Sequence, residues 1–215
     1  MSDPQSNGPV VIIGAGGHAK VIIEILREQG FTVFGLTDAG KAQQDVLGAR
    51  ILGGDEVLPS LLEAGIGQVF VALGDNDRRL AMGKQVQAMG FELVNAISPR
   101  AVISPSVSLG RGVAVMAGAV INADAQICDL AIINTGACID HDCVIGKAAH
   151  VGPGACLAGA VHIGACALMG VGSSARPGSI VGEGAIVGAG SSVVTDIAPH
   201  ATAVGVPARP MNGKS

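Results

Sequence analysis

Ile133-Asn-Thr-Gly-Ala-Cys-Ile139-Asp-His-Asp-Cys-Val-Ile145-Gly-Lys-Ala-Ala-His-Val151 places an aliphatic residue at every sixth position. The same register holds without an insertion from Ile97 to Val193. Of the seventeen residues reached in steps of six, sixteen are Ile, Leu, Val or Met, and only Ala175 is smaller. Four residues after each of the first sixteen stands Ala, Val, Cys or Ser, from Ala101 to Ser191. Glycine often follows the aliphatic residue, as at Gly110, Gly146, Gly164 and Gly182. Neither a 3.6-residue helix period nor strict alternation produces this pattern, whereas a hexapeptide β-helix does. Both repeating positions must point inward, one large and one small, in a narrow prism with flat sides. Three hexads per turn give between five and six turns. The segment after Asp196, broken by Pro199, Pro207 and Pro210, is expected to cap the last turn.

Upstream the texture changes. Pro9 to Ile13 is a short apolar run of the kind buried on both faces of a parallel sheet. Gly14-Ala-Gly-Gly-His18 follows it, and Ala19 to Gln29 has helical periodicity closed by Gly30. Phe31 to Leu36 and Val69 to Leu73 read as further strands, and about Arg78 to Met89 as a second helix. The expected organisation is a half-Rossmann-like α/β domain over 1–95, a β-helix domain over 96–197 and a tail over 198–215.

The 49% hydrophobic content could suggest a membrane protein. However, no apolar run approaches the roughly 18–20 residues that a spanning helix needs. Met1 to Asn7 is polar and shows no signal-peptide pattern, so a soluble, cytoplasmic protein is expected. A net charge of −4 and 2% aromatic residues, with no Trp or Tyr, argue against nucleic-acid partners. The five cysteines are odd in number and lie inside the repeat, and the plain expectation for all of them is small hydrophobic filler.

Gly14-x-Gly16-x-x-Ala19 lies between a strand and a helix, with Asp38 ending the next strand. In that context glycines let backbone N–H groups approach an anion, and Asp38 is placed to accept from a ribose or base. A half-fold suits a nucleotide carried on a substrate better than NAD; a tight turn without a ligand is the plain alternative. Gly17 belongs to the same loop, and His18 faces whatever the glycines hold or simply starts the helix. Gly74, Asp75 and Asn76 end another strand, where ligands of open α/β sheets bind, although Asp75 could equally cap a helix.

His141 and Asp142 occupy the third and fourth places of their hexad, off both inward slots. A carboxylate beside an imidazole fixes its tautomer and raises its basicity, which suits a general base. Two ordinary surface residues are the alternative. A zinc site from His141, His150 and a nearby Cys or Asp matches no familiar spacing, and a thioester needs no Cys138 or Cys143 nucleophile.

The segments GAGGHA (Gly14–Ala19), ALGDN (Ala72–Asn76), NTGACIDHDCVIG (Asn134–Gly146) and GVPAR (Gly205–Arg209) together resemble bacterial sugar acetyltransferases. That group includes sialic acid O-acetyltransferases and nucleotide-linked 4-amino-sugar N-acetyltransferases. The resemblance implies a left-handed β-helix and a homotrimer with acetyl-CoA, the co-substrate, lying between neighbouring solenoids. No metal is expected. His141 takes the place of the family's base and Asp142 that of its acidic partner, commonly Glu. His150 falls on a histidine that contacts acetyl-CoA, and Val171 and Ala189 on backbone contacts to CoA. The glycine loop, His18 and Asp38 match nucleotide-sugar positions. The implied reaction is acetyl transfer to the C4 amine of a nucleotide-linked dideoxy sugar, with GDP favoured; a UDP-linked amine or a sialic acid hydroxyl is the alternative acceptor. A nucleotide-binding scaffold without catalysis is the non-enzymatic alternative.

Overall fold

The structure, a computed structural model, describes residues 7–40 and 45–211. The expectations for Met1 to Ser6 and for the last four residues of the tail lie outside the described residues. The chain divides into two units between Pro99 and Arg100.

In the first unit β1 (Pro9–Ile13) is followed by α1 (Gly17–Glu28), β2 (Thr32–Thr37), β3 (Asp45–Val46) and β4 (Ala49–Gly53). The short helix α2 (Leu58–Glu63), β5 (Gln68–Val71), α3 (Asn76–Met89) and β6 (Glu92–Leu93) complete it. The sheet order is β3-β4-β2-β1-β5-β6. β1 is flanked on both edges by parallel partners, Ile12 pairing with Leu36 on one side and Phe70 on the other. That central place explains its unbroken apolar run, since Val10 to Ile13 are all buried. α1 turns Ala19, Ile22, Ile23 and Leu26 inward, an i, i+3, i+4, i+7 face. Both helices begin earlier than the sequence suggested, at Gly17 and Asn76, because extended glycine and aspartate residues precede them as caps.

The second unit is a left-handed β-helix of two-residue strands. Val115 pairs with Ile133, eighteen residues on, and Ile133 with Val151, so each coil consumes three hexads. One face stacks His150–Val151, Leu168–Met169 and Ile186–Val187. A second stacks Val120–Ile121, Cys138–Ile139, Cys156–Leu157 and Ser174–Ala175. A third stacks Gln126–Ile127, Val144–Ile145 and His162–Ile163. From Val113 onward both inward positions are closed to solvent, whereas Ile97, Ile103 and Leu109 in the first hexads are half-buried. From Gly112 to Gly190 the fourth hexad position turns each corner in the left-handed region. Glycine takes it at Gly136 (φ 66) and Gly154 (φ 64), but so do Asp142 (φ 58), Ala148 (φ 51) and Ala160 (φ 55). After Val193 the stride shortens, Val187 pairing with Ala203, and Thr202–Val204 closes the stack in an antiparallel pair with Arg209–Pro210.

The expectation that all five cysteines are filler is corrected. Cys143 fills a small inward slot and is buried, but Cys138 and Cys156 stand on the outward side of adjacent strands and are exposed. The strand alternation that sends Ile139 and Leu157 inward sends their predecessors out.

Candidate active site

The first unit holds a cavity of about 760 Å³ at the C-terminal ends of β1, β2 and β5. Gly14, Gly16, Gly17, His18, Asp38 and Gly74 line it, with Thr37, Asp55, Arg78, Met82 and Gln85. Gly14 has φ +96, and a Cβ there would stand 3.0 Å from Leu73 and 3.1 Å from the Ala72 carbonyl. It is glycine for the protein's own sake. Gly16, Gly17 and Gly74 differ, because nothing lies within 4 Å of where their Cβ would be. Glycine at those three places keeps backbone open toward the cavity, as close approach of an anion requires. No acidic residue sits in the first turn of α1, and Gly16 supplies no side-chain cap to compete for its amides.

Asp38 is engaged with the loop itself. Its carboxylate accepts from the N–H of Ala15 at 3.1 Å and of Gly40 at 3.0 Å. Thr37 donates to Asp55 at 2.7 Å, which draws a second carboxylate to the cavity wall. Asp75 and Asn76 are not among the lining residues. Asp75 caps α3 by accepting from the Arg78 N–H at 2.8 Å. Asn76 accepts from the guanidinium of Arg79 at 2.7 Å. Arg79, 1% exposed, also donates to the carbonyls of Leu73 at 2.9 Å and Gly74 at 3.2 Å, pinning the turn after β5. Burial, and then the Arg79 charge, lower the His18 pKa to about 4, so its imidazole is neutral at neutral pH. Its Nε2 is buried without a hydrogen-bond partner.

Sequence reading passed over Arg78, Met82 and Gln85. They lie at i, i+4 and i+7 on one face of α3, at the mouth of the sheet, so the helical spacing after the third strand held the signal.

In the solenoid, His141 and Asp142 project from the corner after Cys138–Ile139 and are 59% and 60% exposed. The Nδ1 of His141 is 2.7 Å from Oδ2 of Asp142. With Nδ1–H donating to the carboxylate, Nε2 carries the lone pair and faces away as a proton acceptor. The adjacent Asp140 accepts from the His141 N–H at 2.8 Å and from Asn122, one coil back, at 2.9 Å. The hydrogen bond that Asp142 accepts and then the charge of Asp140 raise the His141 pKa above its ordinary value. Burial raises the pKa of Cys143, whose thiol donates to the Ala158 carbonyl at 3.2 Å. It is a poor thiolate source.

His150 lies on another face, half-buried, its Nε2 2.9 Å from the Asn134 amide. Because Asn134 Oδ1 accepts from the Thr135 N–H at 2.8 Å, its NH₂ group is the one aimed at His150. Val171 and Ala189 are exposed and repeat one coil apart on that same side, Gly190 N–H reaching the Val171 carbonyl at 2.8 Å. Among the described residues no three His, Cys, Asp or Glu side chains gather as a metal-ligand group, and no helix is long and apolar enough to cross a membrane.

The PglD N-terminal domain family matches residues 9–86. A perosamine N-acetyltransferase from Caulobacter crescentus, solved as an H141N variant with CoA and GDP-perosamine, is 53% identical. The match covers 96% of this chain and 98% of that one with a TM-score of 0.94. The chain belongs to the hexapeptide-repeat sugar acetyltransferase family. Another structure of that family, the acetyltransferase domain of PglB from Neisseria gonorrhoeae FA1090, is 36% identical over 95% of this chain and 100% of its own, with a TM-score of 0.91. The uncharacterized protein L142 of Acanthamoeba polyphaga mimivirus is 36% identical over 124 residues, which is 58% of this chain and 24% of that protein. The chain thus matches about a quarter of the length of that curated relative.

Proposed function

We propose that this protein transfers the acetyl group of acetyl-CoA to the C4 amine of a GDP-linked 4-amino-dideoxy sugar, GDP-perosamine in the first instance. The observation that carries the reading is the 2.7 Å His141–Asp142 hydrogen bond on an exposed corner, which leaves Nε2 as a free base. The amine attacks the thioester carbonyl, the C–N bond forms, and Nε2 of His141 takes the amine proton. Collapse of the tetrahedral intermediate breaks the C–S bond, and the proton passes to the leaving thiolate. Backbone N–H groups of the solenoid steady the oxyanion. The 53% identical Caulobacter crescentus enzyme, solved with CoA and GDP-perosamine, supports this choice of donor and acceptor, as do its H141N and H141A variants.

The nucleotide-sugar lies in the cavity of the first unit, its phosphates against Gly16 and Gly17 and its nucleoside toward Asp38. Acetyl-CoA runs past His150, Val171 and Ala189 between neighbouring solenoids of a cytoplasmic homotrimer, an assembly that sedimentation equilibrium checks. His141→Asn tests the chemistry. It should lower kcat by roughly 10²–10⁴ while leaving the Kd of GDP-perosamine within about twofold. Turnover near that of the unsubstituted protein, measured by thiol release, would remove His141 from the base role.

A further inference from the structure

Gly159 stands one coil beyond His141 at the same corner, where the Ala160 N–H donates to the His141 carbonyl at 2.9 Å. A Cβ on Gly159 would lie 2.6 Å from both Cε1 and Nε2 of the His141 ring, and 3.2 Å from Nδ1. Such contacts fall far inside van der Waals distance. The imidazole therefore occupies the space that any other residue would fill. Gly146 and Gly152 are short of room for a different reason, a Cβ on the first meeting the Ala165 backbone at 2.6 Å and one on the second the Met169 carbonyl at 2.6 Å, while Gly184, which also faces a histidine ring, has a left-handed φ of +62 that itself favours glycine. For Gly159 the three nearest atoms are all in the His141 ring, and its φ lies outside the left-handed region. The backbone conformation does not ask for glycine here, and the atoms nearest a Cβ are those of the ring, not of the main chain.

We propose that Gly159 is a positioning residue for the general base: its missing side chain is the seat in which the His141 imidazole rests while Nδ1 engages Asp142. The backbone of His141 is held on the other side by Asp140, itself bound to Asn122. A methyl group in the seat pushes the ring outward, lengthens the bond to Asp142 and displaces Nε2 from the amine.

The proposal rests on His141 being the base, but its first readout does not. In Gly159→Ala the His141 imidazole, followed by histidine NMR, should titrate at a lower pH than in the unsubstituted protein, because the bond that raises its pKa is weakened. Alongside, kcat should fall about 10- to 10²-fold with KM for GDP-perosamine within about twofold. Added to Asp142→Asn, the same change should cost little more, since both act through one bond. An unmoved His141 titration overturns the proposal, whether kcat is kept or the loss appears as a raised KM for acetyl-CoA; so does full additivity with Asp142→Asn. Should Gly159→Ala melt early, the Gly159→Ala/His141→Ala pair decides: recovery of the melting temperature places the clash on the ring, and no recovery sinks the idea. If instead His141→Asn stays active while Gly159→Ala still shifts the titration, the base reading fails and the seat stands.

Discussion

Asp142 reaches the ring of its own neighbour because the chain reverses hand at that residue. Its φ of 58° belongs to the corner position of the hexad, where glycine is common and a short Asp is tolerated better than most side chains. A Glu there would bring a longer arm to a backbone conformation that suits it less. The pair works by polarity: Asp142, and then Asp140, raise the His141 pKa, and a base acts only when neutral. Activity should therefore climb as pH rises through that elevated pKa. Asp142→Asn removes the larger cause, so the rising limb of kcat/KM should move to lower pH while the plateau drops about 10- to 10²-fold. A limb at unchanged pH would show that the carboxylate does not set the titration. His18 is the opposite case, a histidine kept uncharged by burial and by Arg79, suited to a neutral hydrogen bond rather than to proton transfer.

At the scale of elements, the hexad period made the solenoid, its inward slots and the exposed corner of His141 legible, because a six-residue repeat has one simple structural solution. The cavity was half legible. Gly14, Gly16, Gly17 and Asp38 announce themselves by sequence context, yet nothing in a string of letters chooses the cap over the ligand for Asp75 or says that Asn76 holds Arg79. Those assignments depend on where the turn after β5 places its carbonyls. The glycines of the loop also look alike in sequence and differ in structure. Gly14→Ala meets both a left-handed φ and the crowded turn after β5, and should destabilise the protein by about 1–3 kcal/mol. Gly16→Ala has φ −79 and open space, so its melting temperature should hold while nucleotide-sugar affinity falls. Thermal denaturation with calorimetry checks both; equal melting losses would contradict the distinction.

For the whole molecule, stability in a solenoid is a sum over neighbouring coils rather than over one compact core. Ile145, fully buried in mid-stack, should cost about 2–5 kcal/mol on change to Ala. Leu109→Ala, at a half-buried place in the first coils, should cost distinctly less in the same chemical denaturation series. Equal costs would mean that the stack unfolds without regard to position. The eighteen-residue stride has a consequence for how such a chain can vary in length. Within the regular repeat, a deletion or insertion that is not a multiple of eighteen residues moves every downstream inward residue to a new face unless an irregular segment absorbs it, as the shortened step from Val187 to Ala203 does at the end of the stack. A whole coil can be removed or duplicated in frame, and the corner built from Asn122, Asp140, His141, Asp142 and Gly159 spans only adjacent coils. Length in this fold therefore changes in quanta, and the corner proposed to be catalytic can travel intact along a longer or shorter prism.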